Sequence, residues 1–176
     1  MKKLLIILGF IPLFLMAQNP PTPPDIHGLG GNVVGGRVAT FLDGYRIQPS
    51  TIVLVYFAGV FKGYGDVLNY HYPSFKRLHP NANDQWWNPD LAWTNKYKNG
   101  IPPEPKFWGS KTIFVDLTTA DHAAYGLSKY CMIGAVCIKI GEKGKPIKHY
   151  LLDALIYTAV YNAGFWTVYE LAYKSK

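Results

Sequence analysis

The residues able to do chemistry gather in a few places along the chain. Asp121 and His122 stand side by side. A histidine serves as acid, base or ligand near neutral pH, and a nearby carboxylate can assist it. Neighbouring helical residues point about 100° apart, so this pair needs another element before both reach one small substrate. A histidine making ordinary hydrogen bonds is the plainer alternative. On a helix, Lys111, Thr118, His122, Tyr125 and Lys129 fall within about 60° of one another, with Asp121 at the border. Such a stripe could line a cavity.

A second group, His71, His79, Asp84 and Asp90, could converge on a cation. Its spacing matches no standard metal loop, and carboxylates in Asn- and Pro-rich turns are usually structural. No metal or other cofactor is expected. Asp153 and Glu170 share a predicted helix but sit about 100° apart around it, so they form no carboxylate pair. No nucleophile elbow, Walker loop, His-Glu-x-x-His or kinase signature is present. The formal charge is +7, and most of the lysines are spread along the chain. That balance suits solubility or attraction to anionic lipid and gives no nucleic-acid footprint.

The elements that must position these groups read as mostly α. A helix is expected over 51–71, capped by Ser50 and ended by Pro73. Within it Gly59 and Gly63 form a GxxxG spacing that lets another helix approach closely, so a protein partner or a second copy could dock there. Lys62 and Asp66 lie four apart and read as a solvated pair. A second helix is expected over 111–140, capped by Ser110. A third is expected over 146–173, with Pro146 in its first turn. Their short connection makes an antiparallel hairpin of two long helices. Cys131 and Cys137, six positions apart on one helix, lie beyond disulfide reach and read as small buried hydrophobes.

Between the first and second helices, residues 72–110 form a long connector with six prolines. Structureless connectors of this length are uncommon inside compact domains. Its centre is dense in Asn, Asp and Trp, including Trp86, Trp87, Asp90 and Trp93. Asn and Asp build turns by bonding nearby backbone, and Trp rings would anchor those turns to a membrane surface or to the helices below. The connector therefore reads as an ordered aromatic cap.

Upstream, Lys2 and Lys3 precede an apolar run over 4–16 and a small-residue exit at Ala17-Gln18, the pattern of a Sec-type signal sequence. The run is short for a membrane span, although an uncleaved anchor is the alternative. Its removal would leave about 159 residues and a charge of +5. Residues 18–48 read as a flexible Pro- and Gly-rich segment. Its stretch 28–36 lacks the strand and helix of a phosphate cradle and reads as a loop or edge strand. Residues 49–176 read as one helical domain.

At about 40 Å each, the hairpin helices could span a bilayer core of about 30 Å. Asp116, Asp121, His122, Asp153 and Asn162 would then have to face protein or a wet cavity. Lys139, Lys143, Lys145 and Lys148 crowd the hairpin tip, which the positive-inside rule places in the cytoplasm. A cleaved leader puts the mature N-terminus outside. The two agree if the first helix lies on the surface or packs on the hairpin without crossing, leaving two spanning helices.

Three resemblances rest on short motifs. Met-Ala-Gln at the end of the leader resembles exported proteins of the Bacteroidota. Asp121-His122 and Gly164-Phe-Trp-Thr-Val-Tyr-Glu170 resemble small helical membrane proteins of the VanZ-like type. In this sequence the Asp and His are adjacent and Gly164 and Glu170 are six apart, which departs from that pattern. Asn-Asp-Gln-Trp-Trp-Asn-Pro-Asp, Trp-Thr-Asn-Lys-Tyr-Lys-Asn-Gly and Phe-Trp-Gly-Ser-Lys-Thr resemble a group of small Bacteroidota or phage-associated membrane proteins, which implies no activity. The expectation is an exported, lipid-associated, non-enzymatic helical envelope protein. The rivals are a small membrane enzyme acting on a lipid or glycan headgroup through His122 and Asp121, and a soluble periplasmic binding module.

Overall fold

The computed structural model describes residues 44–174. The leader, the proline tether and the glycine-rich stretch 28–36 lie outside the described residues. Those described form six α-helices, joined by short 3-10 turns, and no strand. The long helices are α1 (Pro49–Tyr70), α5 (Ala120–Ile140) and α6 (Ile147–Trp166); the short ones are α2 (Tyr72–Leu78), α3 (Asp84–Trp87) and α4 (Pro89–Ala92). A π-helical turn, Thr167–Lys174, continues α6.

The expected boundaries shift for local reasons. Pro49, not Ser50, opens α1; its fixed φ suits the first turn, and Gln48 is the N-cap without a side-chain bond. The second long helix begins at Ala120, nine residues later than expected. Thr112, Ile113, Val115, Thr118 and Thr119 are β-branched and favour the turns seen there. Thr119 supplies the N-cap. Ser110, the expected cap, is buried and donates its hydroxyl to the Lys96 carbonyl at 2.8 Å, tying the connector to itself. Lys111 and Thr118 consequently lie off the helix, and the five-residue polar stripe does not form.

Helices α5 and α6 make the antiparallel hairpin, but the two arms touch each other only sparsely. Each packs instead on α1, which lies between them. Contacts near its start reach the start of α6, and contacts near its end reach the end of α6. So α1 runs parallel to α6 and antiparallel to α5. The GxxxG glycines are spent inside the chain. A Cβ on Gly59 would overlap the Tyr161 carbonyl oxygen and come within 2.9 Å of Phe165 N. A Cβ on Gly63 would lie 2.7 Å from the Phe165 carbonyl. Gly164 answers from α6, where a Cβ would overlap the Tyr56 carbonyl. No partner is needed to explain the motif.

The connector is ordered. Asn83 and Asn88 accept the backbone N–H of Gln85 and Asp90 at 3.0 and 3.1 Å, capping α3 and α4. Trp86 and Trp87 pack on the aromatic core of Phe75, Leu68, Val67 and Tyr173, where α1, α2 and the π-helical turn meet. Trp93 and Trp108 stay exposed. Cys131 is half-buried and Cys137 exposed, against the expectation that both are buried; both are free thiols.

The α1–α6 seam yields a direct test. Gly164→Val should destabilise the chain by about 1–3 kcal/mol, the usual cost of overpacking a close contact, in detergent-solubilised thermal unfolding. Gly144→Ala, where a Cβ meets nothing within 4 Å, should leave the midpoint unchanged.

Candidate functional site

The α5 N-terminus brings Asp121 and His122 together through a third residue. The Thr119 hydroxyl lies 2.5 Å from Asp121 Oδ1 and 2.7 Å from His122 Nδ1. It has one proton, and an ionised carboxylate can only accept. The consistent assignment gives that proton to Asp121 and places the His122 Nδ1 proton on the Thr119 oxygen, with Asp121 Oδ2 a further 3.3 Å contact. Asp121 is buried while the His122 ring is about one-third exposed. A carboxylate in the first turn also complements the helix dipole. Both side chains are thus held by helix capping, and neither lines the larger cavities.

The four cation candidates separate. His71 Nε2 meets the Tyr169 hydroxyl at 2.9 Å, and His79 Nε2 meets the Tyr173 hydroxyl at 3.1 Å. Asp84 accepts from Tyr72 at 2.5 Å and from Lys76 at 2.7 Å. Asp90 sits exposed in the first turn of α4. No cluster able to hold a metal occurs among the described residues. The Lys76 bond and the Tyr72 bond hold the exposed Asp84 carboxyl below the usual range, while burial and Asp84 push the Tyr72 phenol up. Glu170 lies on the π-helical turn, away from the α5 N-terminus in sequence and with its own contacts.

Two polar assemblies carry more of the structure than the sequence suggested. In the first, Asp66 is buried while the Lys62 side chain is 39% exposed, so the pair is solvated on the lysine side only. Tyr125 of α5 donates to Asp66 at 2.7 Å, and Asn69 donates to the Tyr125 oxygen at 3.2 Å. Lys62 also lies 5.3 Å from the Tyr125 ring centre and 5.9 Å from that of Phe165, so it meets all three long helices. The second closes the hairpin tip. Buried Asp153 accepts from Tyr45 at 2.6 Å and pairs with Lys139 at 2.9 Å and Lys145 at 3.2 Å. Glu142 joins Lys139 and Lys145 at 2.8 and 3.0 Å. Partial burial works against the charged Glu142, yet the two lysines hold its carboxyl below the usual range. A run of tip lysines was visible in the sequence; that Asp153 and Tyr45 would receive them was not.

Between the arms lies an open groove of about 760 Å³ lined by Val55 of α1, Lys129, Met132 and Ile133 of α5, and Ala154 and Tyr161 of α6. A smaller one of about 270 Å³ continues it towards the tip, sharing Val55, Met132 and Tyr157 and adding Thr51, Lys139 and Ile140. The Thr51 hydroxyl is buried there without a hydrogen-bond partner, and the Tyr157 hydroxyl, which faces the Lys139 ammonium, has no acceptor for its own proton. This groove arises because α1 holds the arms apart, a packing outcome with no motif. No protein family, curated protein or solved structure matches the chain.

Two outcomes test these assignments. Thr119→Val should cost about 1 kcal/mol in thermal unfolding through loss of the cap, and Thr119→Ser should restore most of it. Asp84 and Glu142 are lowered in the fold, so their stabilisation is complete above the unfolded carboxylate range, about pH 4, and is lost as pH falls through the lowered values. The thermal midpoint should therefore hold from pH 7 to about 5 and drop towards pH 3, with a smaller drop in Asp84→Asn.

Proposed function

We propose that this chain is a non-enzymatic integral membrane protein of the cell envelope, with the α1/α5/α6 bundle in the lipid and the 71–119 cap at its surface. One observation carries the reading: the exposed surface of α5 and α6 is mostly apolar, with Lys129 and Asn162 as exposed polar exceptions, and the carboxylates lie inside. Ile140, Ile133 and Val136 of α5 are 78, 59 and 53% exposed, and Ile147, Leu155 and Leu151 of α6 are 80, 70 and 65% exposed. Every carboxylate of the three helices, Asp66, Asp121 and Asp153, is buried and bonded. Water would favour the reverse arrangement, and contiguous exposed apolar surface of this kind marks contact with lipid or with another protein.

Helices α1 and α5 are long and apolar enough to cross a membrane, with mean hydropathies of 1.4 and 1.2; α6 is not among the helices that meet this test. The sequence pointed instead to the two hairpin arms, with the first helix outside. Lys62, Asp66 and Asn69 argued against α1, but their bonds to Tyr125 and to one another remove that objection. Since α1 lies between the arms, a bundle that crosses takes all three helices with it. Tyr45 and Arg46 are tied to Asp153 and Lys145, so residue 45 shares a side with the tip. A leader that exports the segment directly behind it would carry the lysine-rich tip outward, against the positive-inside rule; the two topology signals point opposite ways for this bundle. At the other end, Trp108, Ile113 and Leu117 are exposed beside Lys106 and Lys111, the mixture that settles at a membrane interface.

Single cysteines at Lys143 and Trp108, in a background lacking Cys131 and Cys137, provide the test. In sealed vesicles a membrane-impermeant maleimide should label one before permeabilisation and the other only after it. Labelling of both from the same side, or recovery of the chain in the soluble fraction without detergent, refutes the spanning reading.

A further inference from the structure

We infer that the groove between α5 and α6 is a binding site for one acyl chain of an anionic glycerophospholipid, with the headgroup at the hairpin tip. The inference rests on the membrane reading above and assigns a ligand to a surface which that reading leaves open.

The groove has the composition of a lipid site. Its body is apolar, floored by Val55 and walled by Met132, Ile133 and Ala154. Its volume of about 760 Å³ lies in the range of ligand cavities, about 300–1,000 Å³. It runs from the level of Ser128 to that of Lys139, about 16 Å along α5 and so about half of a 30 Å hydrocarbon core. That is the depth one leaflet offers to one acyl chain. A protein helix could lay side chains on the groove but would not explain its polar end.

That polar end is the second observation. Thr51 Oγ1 and the Tyr157 hydroxyl are buried donors without an acceptor, at the tip end of the groove. A buried hydroxyl left without a partner is costly, and few native ones stay so. Both residues line the tip end of the groove but their hydroxyls are covered, so donating to an ester carbonyl, the group a glycerolipid places between its phosphate and its chains, requires the covering side chains to part. Above them the tip carries Arg46, Lys139, Lys143, Lys145 and Lys148 against Glu142 and Asp153. Lys139 and Lys145 are neutralised in the Asp153 assembly, whereas Lys143 is exposed. The end where a phosphate would sit is therefore net positive by three charges. At the other end Lys129 is exposed and lines the groove, so a cation also borders the far end of the site.

The test uses the full chain, purified in detergent and delipidated, then mixed with phosphatidylglycerol or phosphatidylcholine. Retained lipid is read by native mass spectrometry and the melting shift by thermal unfolding. The wild-type chain should retain one phosphatidylglycerol in preference to phosphatidylcholine and gain thermal stability from it. Thr51→Val and Tyr157→Phe should each weaken that retention roughly fivefold, the loss expected of one hydrogen bond. Without lipid Thr51→Val should melt no lower than wild type, because it removes a buried unpaired donor. Ala154→Phe, which fills the groove, should abolish retention. Equal retention of the two lipids, or retention unchanged in both hydroxyl variants, overturns the inference. So does a Met132→Cys chain that crosslinks to a second copy and retains no lipid, since the groove would then hold protein. A chain that fractionates with membranes but shows no preference sinks this inference alone. One found soluble yet retaining phosphatidylglycerol sinks the spanning reading and keeps the site.

Discussion

The backbone-to-backbone approach of α1 and α6 is the constraint on which the rest depends. Gly59, Gly63 and Gly164 leave no side chain between the two helices, so carbonyl and amide groups face each other directly. Contact this close lets dispersion and Cα–H contacts act where side chains would hold the axes apart. It also commits one side of α1 to α6. The other side carries Ala58, Gly65 and Asp66, and α5 settles there: Ser128 donates to the Ala58 carbonyl at 2.8 Å, and the Tyr125 ring fills the space over Gly65. With both sides of α1 taken, the hairpin arms cannot close on each other. The groove between them is a consequence of the seam.

The polar groups then fall into a consistent pattern. Two of the three buried carboxylates draw donors from more than one element, while Asp121 is held within the α5 N-terminus. Asp66 joins α1 to α5, and Asp153 joins α6 to the end of α5, to the tip loop and to the residues before α1. Breaking a buried pair by removing one partner strands a charge, commonly at a cost of about 3–5 kcal/mol, so these residues fix the relative placement of the helices more than they add to net stability. In lipid the same bonds have a further use. They let a helix carry Asp66 without offering it to hydrocarbon, and they pair the 39%-exposed Lys62 with it.

Local chemistry was largely legible in the sequence; the partners were not. The mostly helical class, the two long hairpin helices and an ordered, aromatic connector follow from periodicity, Pro and Gly positions, and Asn-based turns, and the structure has all three. The Asn83 and Asn88 caps are what an Asn-rich stretch with few apolar repeats is expected to make. What failed did so where a residue had two local uses. Ser110 could cap a helix or tie a loop, and the β-branched residues after it decided for the loop. Gly59 and Gly63 could serve a second copy or the chain's own α6. The spacing is the same in both cases, and only the fold supplies Gly164. Asp121 and His122 were visible as a pair, but nothing in the spacing marks Thr119, three residues before His122, as the group that occupies both. The groove had no signal at all, because it is made of gaps between elements distant in sequence.

The two polar assemblies also sit at informative heights along the bundle. The tip assembly lies level with the start of α1 at Pro49, through Tyr45 and Asp153, and the Lys62–Asp66–Tyr125 assembly lies near its end. The interval along α1 is about 15–17 residues, or about 24 Å. Between them no ion pair occurs among the described residues; the Ser128 hydroxyl donates to a backbone carbonyl, and Lys129 is exposed. A band of this height, bounded by charged groups above and below, is close to the thickness of a hydrocarbon core and to the span of the exposed isoleucines and leucines on α5 and α6. On the outer face between the two levels the exposed side chains are mostly apolar, with Lys129 and Asn162 among them, and a soluble three-helix bundle does not require its ion pairs to lie at two levels. A bundle in lipid does, since charge is tolerated near the two interfaces and inside the protein, and is costly on the face between.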